Sequence, residues 1–314
     1  MEIKEFSVKY TFNLDVPEEV TVPGYSEKTE YVPRAKEHYV FSKDMMRDVL
    51  AWHKMGALGE GLFLTGPTGA GKSSVITQIA ARLNIPLQQA VAHARLEIPE
   101  LVGQMVVKDG SMEFQHGPLA RAMKEGHWFL LDEMDLLDPS TAAGLNGVVE
   151  GSPLTIPENN GEVIHPHPNF RFIATGNTNG SGDRDGNYQG TTRQNMAFMD
   201  RFWVLHVDYP TEEQELKILS KAVPQLDSRI CSHFIDIANM IRRSFVDEYS
   251  DSAIEVPMST RALIRWVKIA YFFQATGRKN SIKDALDKSL TNRAEPETKT
   301  AIHEYVDRVF GEEV

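Results

Sequence analysis

The chain has 314 residues, a formal net charge of −11 and a single cysteine, Cys231. At roughly 150 residues per domain, this length predicts two domains, and 41% hydrophobic with 25% charged residues is ordinary for a soluble globular protein. No apolar run approaches the roughly 18 residues that span a membrane, and the start MEIKEFSVKY does not resemble a signal peptide. One cysteine excludes an internal disulfide and predicts a cytoplasmic setting, while the acidic balance disfavours nucleic acid as a partner.

Residues 1–40 carry prolines, a glycine and alternating polar residues, which is typical of an extended N-terminal arm wrapped around a domain. Apolar residues at helical spacing then predict a helix after Ser42. Short apolar runs that alternate with helical patterns predict an α/β domain over 41–210, with a mostly parallel sheet between helices. The four predicted strands are GLFLT (61–65), WFLLDE (128–133), FRFIATGN (170–177) and FWVLHVDYP (202–210).

From Thr211 onward, apolar residues recur at helical spacing with almost no strand pattern. This predicts an all-helical domain over 211–314, whose first helix is capped by Thr211 and begins with an acidic turn. Cys231 lies on an apolar helical face and is predicted to belong to the core of this domain.

Residues 66–73, GPTGAGKS, fit the phosphate-loop pattern G-x-x-x-x-G-K-[ST] and lie between a predicted strand and a predicted helix. Glycines let backbone N–H groups point at phosphate oxygens, while Lys72 would reach the terminal phosphates and the Ser73 hydroxyl would hold Mg²⁺. The segment therefore predicts a site for ATP and Mg²⁺. The candidate nucleotide-binding residues of this segment are Gly66, Pro67, Thr68, Gly69, Ala70, Gly71, Lys72, Ser73 and Ser74.

The second predicted strand ends in two carboxylates, Asp132 and Glu133. Asp132 would bind the nucleotide's Mg²⁺ together with Ser73, and Glu133 would polarise the attacking water. Asp135 is a third acid nearby, and it fits a solvated loop or helix-cap residue as well as a supporting residue of the site.

Three further residues are candidates for catalysis. Asn177 follows the third strand and would orient the water with Glu133, although a turn asparagine beside Gly176 is the alternative. Arg201 precedes the fourth strand, and Arg261 follows Thr260, which could cap a helix. An arginine near the γ-phosphate would stabilise transition-state charge. Either arginine alone is more often a surface residue, and Arg193 and Arg265 are the competing choices.

The ordered set GPTGAGKS, LLDEMD, ATGN, MDRF and STRALIRW resembles the motifs of AAA+ ATPases of the MoxR type, over about residues 41–275. The segments VPGYSEKTEYVP and GSGDRDGNYQGTTRQNMAFMDRF are similar to cobaltochelatase ATPase subunits of the CobS type, whose relatives CbbQ and NorQ activate Rubisco and nitric oxide reductase. The resemblance implies a homo-oligomer, a hexameric ring that hydrolyses ATP between subunits. It also implies a partner with a von Willebrand factor A domain, an arginine finger at Arg201 and a sensor 2 residue at Arg261.

Two segments, around 102–116 and 153–164, resemble β-hairpins that this clade inserts into the nucleotide-binding core. Each has a turn sequence between apolar residues. We expect the hairpins to face the pore or the partner, with bracing of neighbouring subunits as the alternative. The loop 180–190 suits a mobile segment that couples the nucleotide state to the hairpins. Its glycines are Gly180, Gly182, Gly186 and Gly190.

The motifs together favour a ring-forming ATPase that remodels a client protein or drives metal insertion into a client. A small-molecule kinase with a phosphate loop would need an acceptor site, and would not need a finger, a sensor asparagine and a helical lid together. A nucleic-acid motor is disfavoured by the net charge of −11. Nothing in the sequence names the client.

Overall fold

The structure is a computed structural model that describes residues 2–56, 58–183, 188–246 and 254–311. The chain divides into two compact units. The first unit is α/β and the second is helical. The first comprises Met1–Lys36, Lys43–Pro67 and Lys72–Asp208, and the second comprises Glu37–Ser42, Thr68–Gly71 and Tyr209–Val314.

The N-terminal segment begins with two antiparallel strands, β1 (Ile3–Ser7) and β2 (Thr21–Tyr25), joined through a short helix, α1 (Val8–Phe12). The sequence predicts extended segments throughout residues 1–40, and this prediction is wrong for the helix Val8–Phe12. Val8 and Phe12 lie one helical turn apart and are both buried. Their packing stabilises a helix that would be too short to form alone.

The rest of the N-terminal segment is hydrogen-bonded to the α/β core. The Tyr25 N–H donates to the Leu83 carbonyl at 2.8 Å, and the Lys36 N–H donates to the buried Gln78 side chain at 2.7 Å. The Gln78 amide in turn donates to the Arg34 carbonyl at 3.2 Å. These three hydrogen bonds connect Tyr25, Arg34 and Lys36 to the domain core.

Five parallel strands form the central sheet of the α/β unit. The helices and strands that follow α1 and β2 in this unit are α2 (Lys43–Met55), β3 (Gly61–Thr65), α3 (Lys72–Arg82), β4 (Leu87–Val91), α4 (Ile98–Val102), β5 (Gly103–Lys108), β6 (Ser111–His116), α5 (Pro118–Glu125), β7 (Trp128–Asp132), α6 (Pro139–Gly144), α7 (Asn146–Val149), β8 (Leu154–Ile156), β9 (Glu162–Ile164), β10 (Arg171–Gly176), α8 (Met196–Met199) and β11 (Phe202–His206). The order across the sheet is β11-β3-β10-β7-β4. Because the strands are parallel, the carboxyl ends of β3, β10 and β7 lie along one edge, where α/β proteins place their ligands.

The four predicted strands are confirmed, and a fifth is found. β11 ends at His206, four residues before Pro210. The fifth strand, β4, was not predicted, because Gln88 and Gln89 interrupt its apolar pattern. It is a strand because it pairs with β7 at the edge of the sheet, with Gln88 opposite Phe129.

Both predicted hairpins are confirmed as antiparallel pairs, β5 with β6 and β8 with β9. Asp109 and Gly110 connect β5 to β6 with φ angles of 51° and 84°, the backbone that a two-residue hairpin turn requires. The hairpins meet at Glu162, whose carboxylate lies 2.6 Å from His116 Nε2 and accepts a 2.9 Å hydrogen bond from Lys124.

The helical unit packs around its own apolar core. Its helices are α9 (Glu212–Ala222), α10 (Ser228–Val246), α11 (Thr260–Ala275), α12 (Ser281–Ser289) and α13 (Pro296–Phe310). Thr211 caps α9 as predicted, with its side chain accepting from the Gln214 N–H. Cys231 is fully buried in this core, as predicted, together with Phe234 and Trp266. Within the described ranges, no helix has the length and apolar character that crossing a membrane requires.

Candidate functional site

The predicted phosphate loop joins the carboxyl end of β3 to the first residue of α3. Gly66 adopts a φ of 144°, and a Cβ at this position would lie 2.1 Å from the Val207 carbonyl oxygen, so only glycine fits. α3 begins at Lys72, which places the unpaired N–H groups and positive dipole of its first turn beside the loop. Ser74 follows in that turn. This is the local structure that binds phosphate at a helix N-terminus.

The Lys72 ammonium is buried and makes three hydrogen bonds. It donates to the carbonyls of Gly66 and Pro67 at 2.7 and 3.0 Å, and to Asn177 Oδ1 at 3.0 Å. Burial lowers the pKa of Lys72 to about 8. Nearby carboxylates oppose this and raise the pKa, led by Asp135 and followed by Asp132 and Glu133. The cation therefore lies in a pocket whose negative charge favours its protonated form.

Ser73 and Asp132 lie in direct contact, as the predicted cation site requires. The Ser73 hydroxyl donates to Asp132 Oδ1 at 2.6 Å, and the Thr175 hydroxyl on β10 donates to the same oxygen. Hydroxyl and carboxylate oxygens are hard donors of the kind that Mg²⁺ prefers. The chemistry of this donor set fits the ion.

Glu133 has a left-handed backbone with a φ of 56° and an exposed side chain. This conformation costs a non-glycine residue about 1–2 kcal/mol. The Glu133 N–H donates to the Thr175 hydroxyl at 3.2 Å, which helps to hold the turn. Strained backbone of this kind is concentrated at active sites.

Asp135 is fully buried in a 3-10 turn (Met134–Leu136) that follows Glu133. Its carboxylate Oδ2 accepts the N–H groups of Asn177 and Thr178 at 2.7 and 2.9 Å. The interpretation of Asp135 as a solvated loop or helix-cap acid is therefore wrong. The interpretation as a supporting residue agrees with this geometry.

Arg201 immediately precedes β11, and its carbonyl accepts the Gly61 N–H at 2.9 Å. It therefore lies level with the amino end of β3, whereas the phosphate loop follows the carboxyl end of that strand. Its guanidinium donates to the Ala197 carbonyl and pairs with Glu150. Arg193, the competing residue in this unit, is exposed.

Arg261 lies in the first turn of α11 and is exposed, as is Arg265. The prediction that Thr260 caps this helix is wrong. Ser259 is the cap, with its side chain accepting the Ala262 N–H at 3.1 Å, whereas Thr260 is the first helical residue. The Thr260 hydroxyl is buried and donates to the Glu215 carboxylate at 3.0 Å.

Residues 184–187 of the predicted mobile loop, which include Gly186, lie outside the described residues. The flanking parts are joined, since Ser181 pairs with Arg193 and the Gln194 N–H donates to the Gly180 carbonyl at 2.9 Å. The coupling role of the loop stays a prediction.

The structure forms two hydrogen-bonded pairs, Lys72 with Asn177 and Ser73 with Asp132, and adds a residue that the motifs missed. Thr175 bonds both Asp132 and the Glu133 main chain. The sequence offered one weak signal for it, a polar residue in an apolar strand directly before Gly176 and Asn177.

A parallel sheet with a phosphate loop on one strand, a carboxylate pair on another and an asparagine on the strand between them defines a P-loop ATPase of the AAA class. The AAA domain (dynein-related subfamily) matches residues 61–202, and the CbbQ/NirQ/NorQ C-terminal family matches residues 215–309. The aerobic cobaltochelatase subunit CobS of a Sinorhizobium species is 30% identical over 98% of this chain and 91% of its own length. The chain belongs to the MoxR-type AAA+ ATPases that include CobS, and it is a nucleotide-binding ATPase.

One further curated protein and one solved structure are similar to this chain. The uncharacterized protein YojN of Bacillus subtilis is 29% identical over 69% of this chain and 69% of its own length. Among solved structures, a mutant of RuvB from Thermotoga maritima aligns with a TM-score of 0.50 and 18% identity, covering 82% of this chain and 72% of that chain. The second likeness concerns the fold alone.

Proposed function

We propose that this chain assembles into a homo-oligomeric ring, a hexamer by its resemblance to the MoxR type, that hydrolyses ATP between neighbouring subunits. The position of Arg201 carries the proposal. Its main chain is level with Gly61, and the phosphate loop begins at Gly66. At about 3.3 Å per strand residue this separation is about 16 Å, more than an arginine side chain can span. An arginine finger at this position must therefore serve the phosphates of another subunit.

Each residue near the phosphate loop would then have a separate role in ATP hydrolysis. Lys72 and the N-terminus of α3 bind the phosphates, Glu133 polarises the attacking water, and Asn177 orients that water. Ser73 and Asp132 would hold Mg²⁺, which supplies charge neutralisation at the phosphates when it is bound. Arg261 would contact the nucleotide as sensor 2.

The relatives support a proposal about the client on which the ATPase acts. We propose that hydrolysis drives remodelling of a client protein, or metal insertion into a client as the name of the cobaltochelatase relative indicates, together with a partner that carries a von Willebrand factor A domain. Similarity over 98% of the chain to that subunit supports this class of reaction. The single buried cysteine agrees with a reducing, cytoplasmic setting.

The first hairpin offers the apolar surface that such a partner or client would need. Met105, Val107 and Met112 lie on one face and are 41%, 73% and 64% exposed. Side chains alternate along a strand, so Val106 lies on the opposite face of the hairpin from Met105, Val107 and Met112. Changing Met105, Val107 and Met112 to serine should abolish partner-stimulated turnover and leave basal hydrolysis within about twofold. Loss of ring assembly instead would favour the bracing role.

The test of shared hydrolysis uses two inactive variants. Lys72→Ala should lose ATP affinity, whereas Arg201→Ala should keep ATP affinity and lose about 10³-fold in turnover. Mixtures of freely exchanging subunits should regain activity, because an intact Lys72 site can then adjoin an intact Arg201. Turnover is measured as phosphate release, and assembly is measured by light scattering with ATP.

The control for this test removes the ion pair and keeps the arginine. Glu150→Gln breaks the contact of Glu150 with Arg201 inside the subunit. If Arg201 acts on a neighbour, Glu150→Gln keeps most of its turnover. If Glu150→Gln is as inactive as Arg201→Ala, or mixing rescues nothing, the proposed role of Arg201 is wrong.

A further inference from the structure

Asp135 connects three segments of the α/β unit. Its Oδ2 accepts the N–H groups of Asn177 and Thr178, the first two residues after β10. Its main-chain carbonyl accepts the Thr192 N–H at 2.8 Å. Asp135 itself lies two residues after Glu133. Glu133, Asn177 and the chain that leads towards Arg201 are therefore connected through one buried residue, Asp135.

Asp135 is costly to bury. It is 0% exposed, it forms no ion pair in the described part of the chain, and its Oδ1 has no hydrogen-bond partner among those same residues. A buried carboxylate held only by two N–H groups is less favourable than an apolar residue of the same size. A group that is retained at such a cost needs an explanation beyond packing.

Gly176 is matched to this carboxylate. A Cβ at position 176 would lie 3.1 Å from Asp135 Cγ and 2.8 Å from the Phe63 ring. A side chain there would push the end of β10 away from Asp135. Glycine allows the close approach that makes both N–H bonds short.

We propose that Asp135 is a positioning residue for ATP hydrolysis. Its carboxylate holds the main chain at Asn177 and Thr178, so that the Asn177 amide is fixed beside Lys72, where Oδ1 and Nζ are 3.0 Å apart. The inference rests on the proposed role of Asn177 in orienting the attacking water. Displacement of a reacting or orienting group by about 1 Å can cost about 100-fold in rate, so loss of this support should appear in kcat.

The experiment compares Asp135→Asn, Asp135→Ala, Asn177→Ala and the double variant Asp135→Ala/Asn177→Ala in the full chain. The asparagine side-chain oxygen can still accept both N–H bonds but without charge, so Asp135→Asn should lose about five- to tenfold in kcat. Asp135→Ala should lose about 100-fold and approach Asn177→Ala. The affinity for ATP, read with a fluorescent analogue, should change by less than about threefold in every variant.

The double variant separates positioning from a structural role. Because Asp135 acts through Asn177, the double variant should be no slower than Asn177→Ala alone. Asp138→Ala is the matched control, since Asp138 bonds the Ser140 N–H in the same segment but contacts no residue of the site among those described. It should keep its kcat within about twofold.

Two outcomes would distinguish a wrong role for Asn177 from a wrong role for Asp135. If Asn177→Ala turns over at the wild-type rate, the proposed function of Asn177 is wrong. If Asn177→Ala is slow but Asp135→Asn and Asp135→Ala keep their kcat, or if the Asp135 changes multiply with Asn177→Ala, the positioning role is wrong. If Asp135→Ala fails to fold, Asp135→Asn combined with Asn177→Ala decides the question by the same comparison.

Discussion

The α/β unit and the helical unit each bury a carboxylate near a candidate functional residue. Asp135 bonds the main chain of Asn177, and Glu215 bonds Thr260, which directly precedes Arg261. In the α/β unit Asp135 accepts two main-chain N–H groups and forms no direct ion pair in the described part of the chain. In the helical unit Glu215 is 1% exposed and pairs with Arg242 through two hydrogen bonds of 2.7 and 2.9 Å. The first carboxylate lies close enough to Lys72 to raise the pKa of that lysine, and the second forms an ion pair with an arginine within the core.

The Glu215–Arg242 pair holds the start of α11. Arg242 Nε donates to the Met258 carbonyl at 2.8 Å, and the Thr260 hydroxyl donates to Glu215 at 3.0 Å. Residues on both sides of the Ser259 cap are therefore tied to α9 and α10. A complete hydrogen-bonded ion pair of this kind orients a helix terminus, whereas a carboxylate that touches no cation directly can act on the nearby Lys72 ammonium. We therefore expect Glu215 to contribute mainly to the stability of the helical unit and Asp135 mainly to turnover in the α/β unit.

The largest effect on stability is expected from Glu215→Gln. This isosteric change leaves Arg242 buried without a charged partner, and it should destabilise the helical unit by about 3 kcal/mol. Hydrogen exchange read by mass spectrometry should show the loss of protection in peptides of α9, α10 and α11. Protection unchanged in these helices would contradict a structural role for the pair.

Asp135→Asn is the matched change in the α/β unit, and it should alter the free energy of unfolding by no more than about 1 kcal/mol. The two N–H groups keep an acceptor, and removing the cost of a buried charge offsets the cost of the amide N–H groups that replace the unpartnered Oδ1. Urea unfolding followed by circular dichroism measures both variants. If Asp135→Asn is destabilised as much as Glu215→Gln, both carboxylates serve mainly to stabilise the fold.

Thr260→Val should cost about 1 kcal/mol, because it removes one of the hydrogen bonds to Glu215 but leaves the ion pair intact. Thermal unfolding should therefore rank Thr260→Val between the wild type and Glu215→Gln. A cost equal to that of Glu215→Gln would mean that the hydroxyl, not Arg242, satisfies the carboxylate.

The smallest effect is expected at Glu162, a partly exposed carboxylate between the two hairpins. The Lys124 hydrogen bond, with contributions from His116 and Asn159, lowers the pKa of Glu162 from 4.5 to about 2. Its stabilising contribution is therefore complete above pH 4.5 and is lost as the pH falls towards 2. The melting-temperature difference between the wild type and Glu162→Gln should shrink as the pH falls from 4.5 towards 2, and a difference that stays constant over this range would contradict the lowered pKa of Glu162.

Local patterns explain most of what could be predicted. The phosphate loop is one contiguous segment whose glycines, lysine and serine are required by its own backbone geometry, and the four predicted strands are continuous apolar runs. β4 and α1 were missed because their local patterns are weak. β4 is held by its pairing with β7, and α1 is held by the burial of Val8 and Phe12.

The sequence by itself determined the class of this protein, because a phosphate loop, an Asp-Glu strand end and a helical C-terminal half are each written in neighbouring residues. Only the tertiary structure decided what Asp135, Thr175 and Thr260 do. Their partners lie between about 40 and 45 residues away in the chain and come close only because β10 lies between β3 and β7, or because α9 packs near the start of α11. Strand order and helix packing minimise the free energy of the whole chain, so local residue patterns do not reveal them.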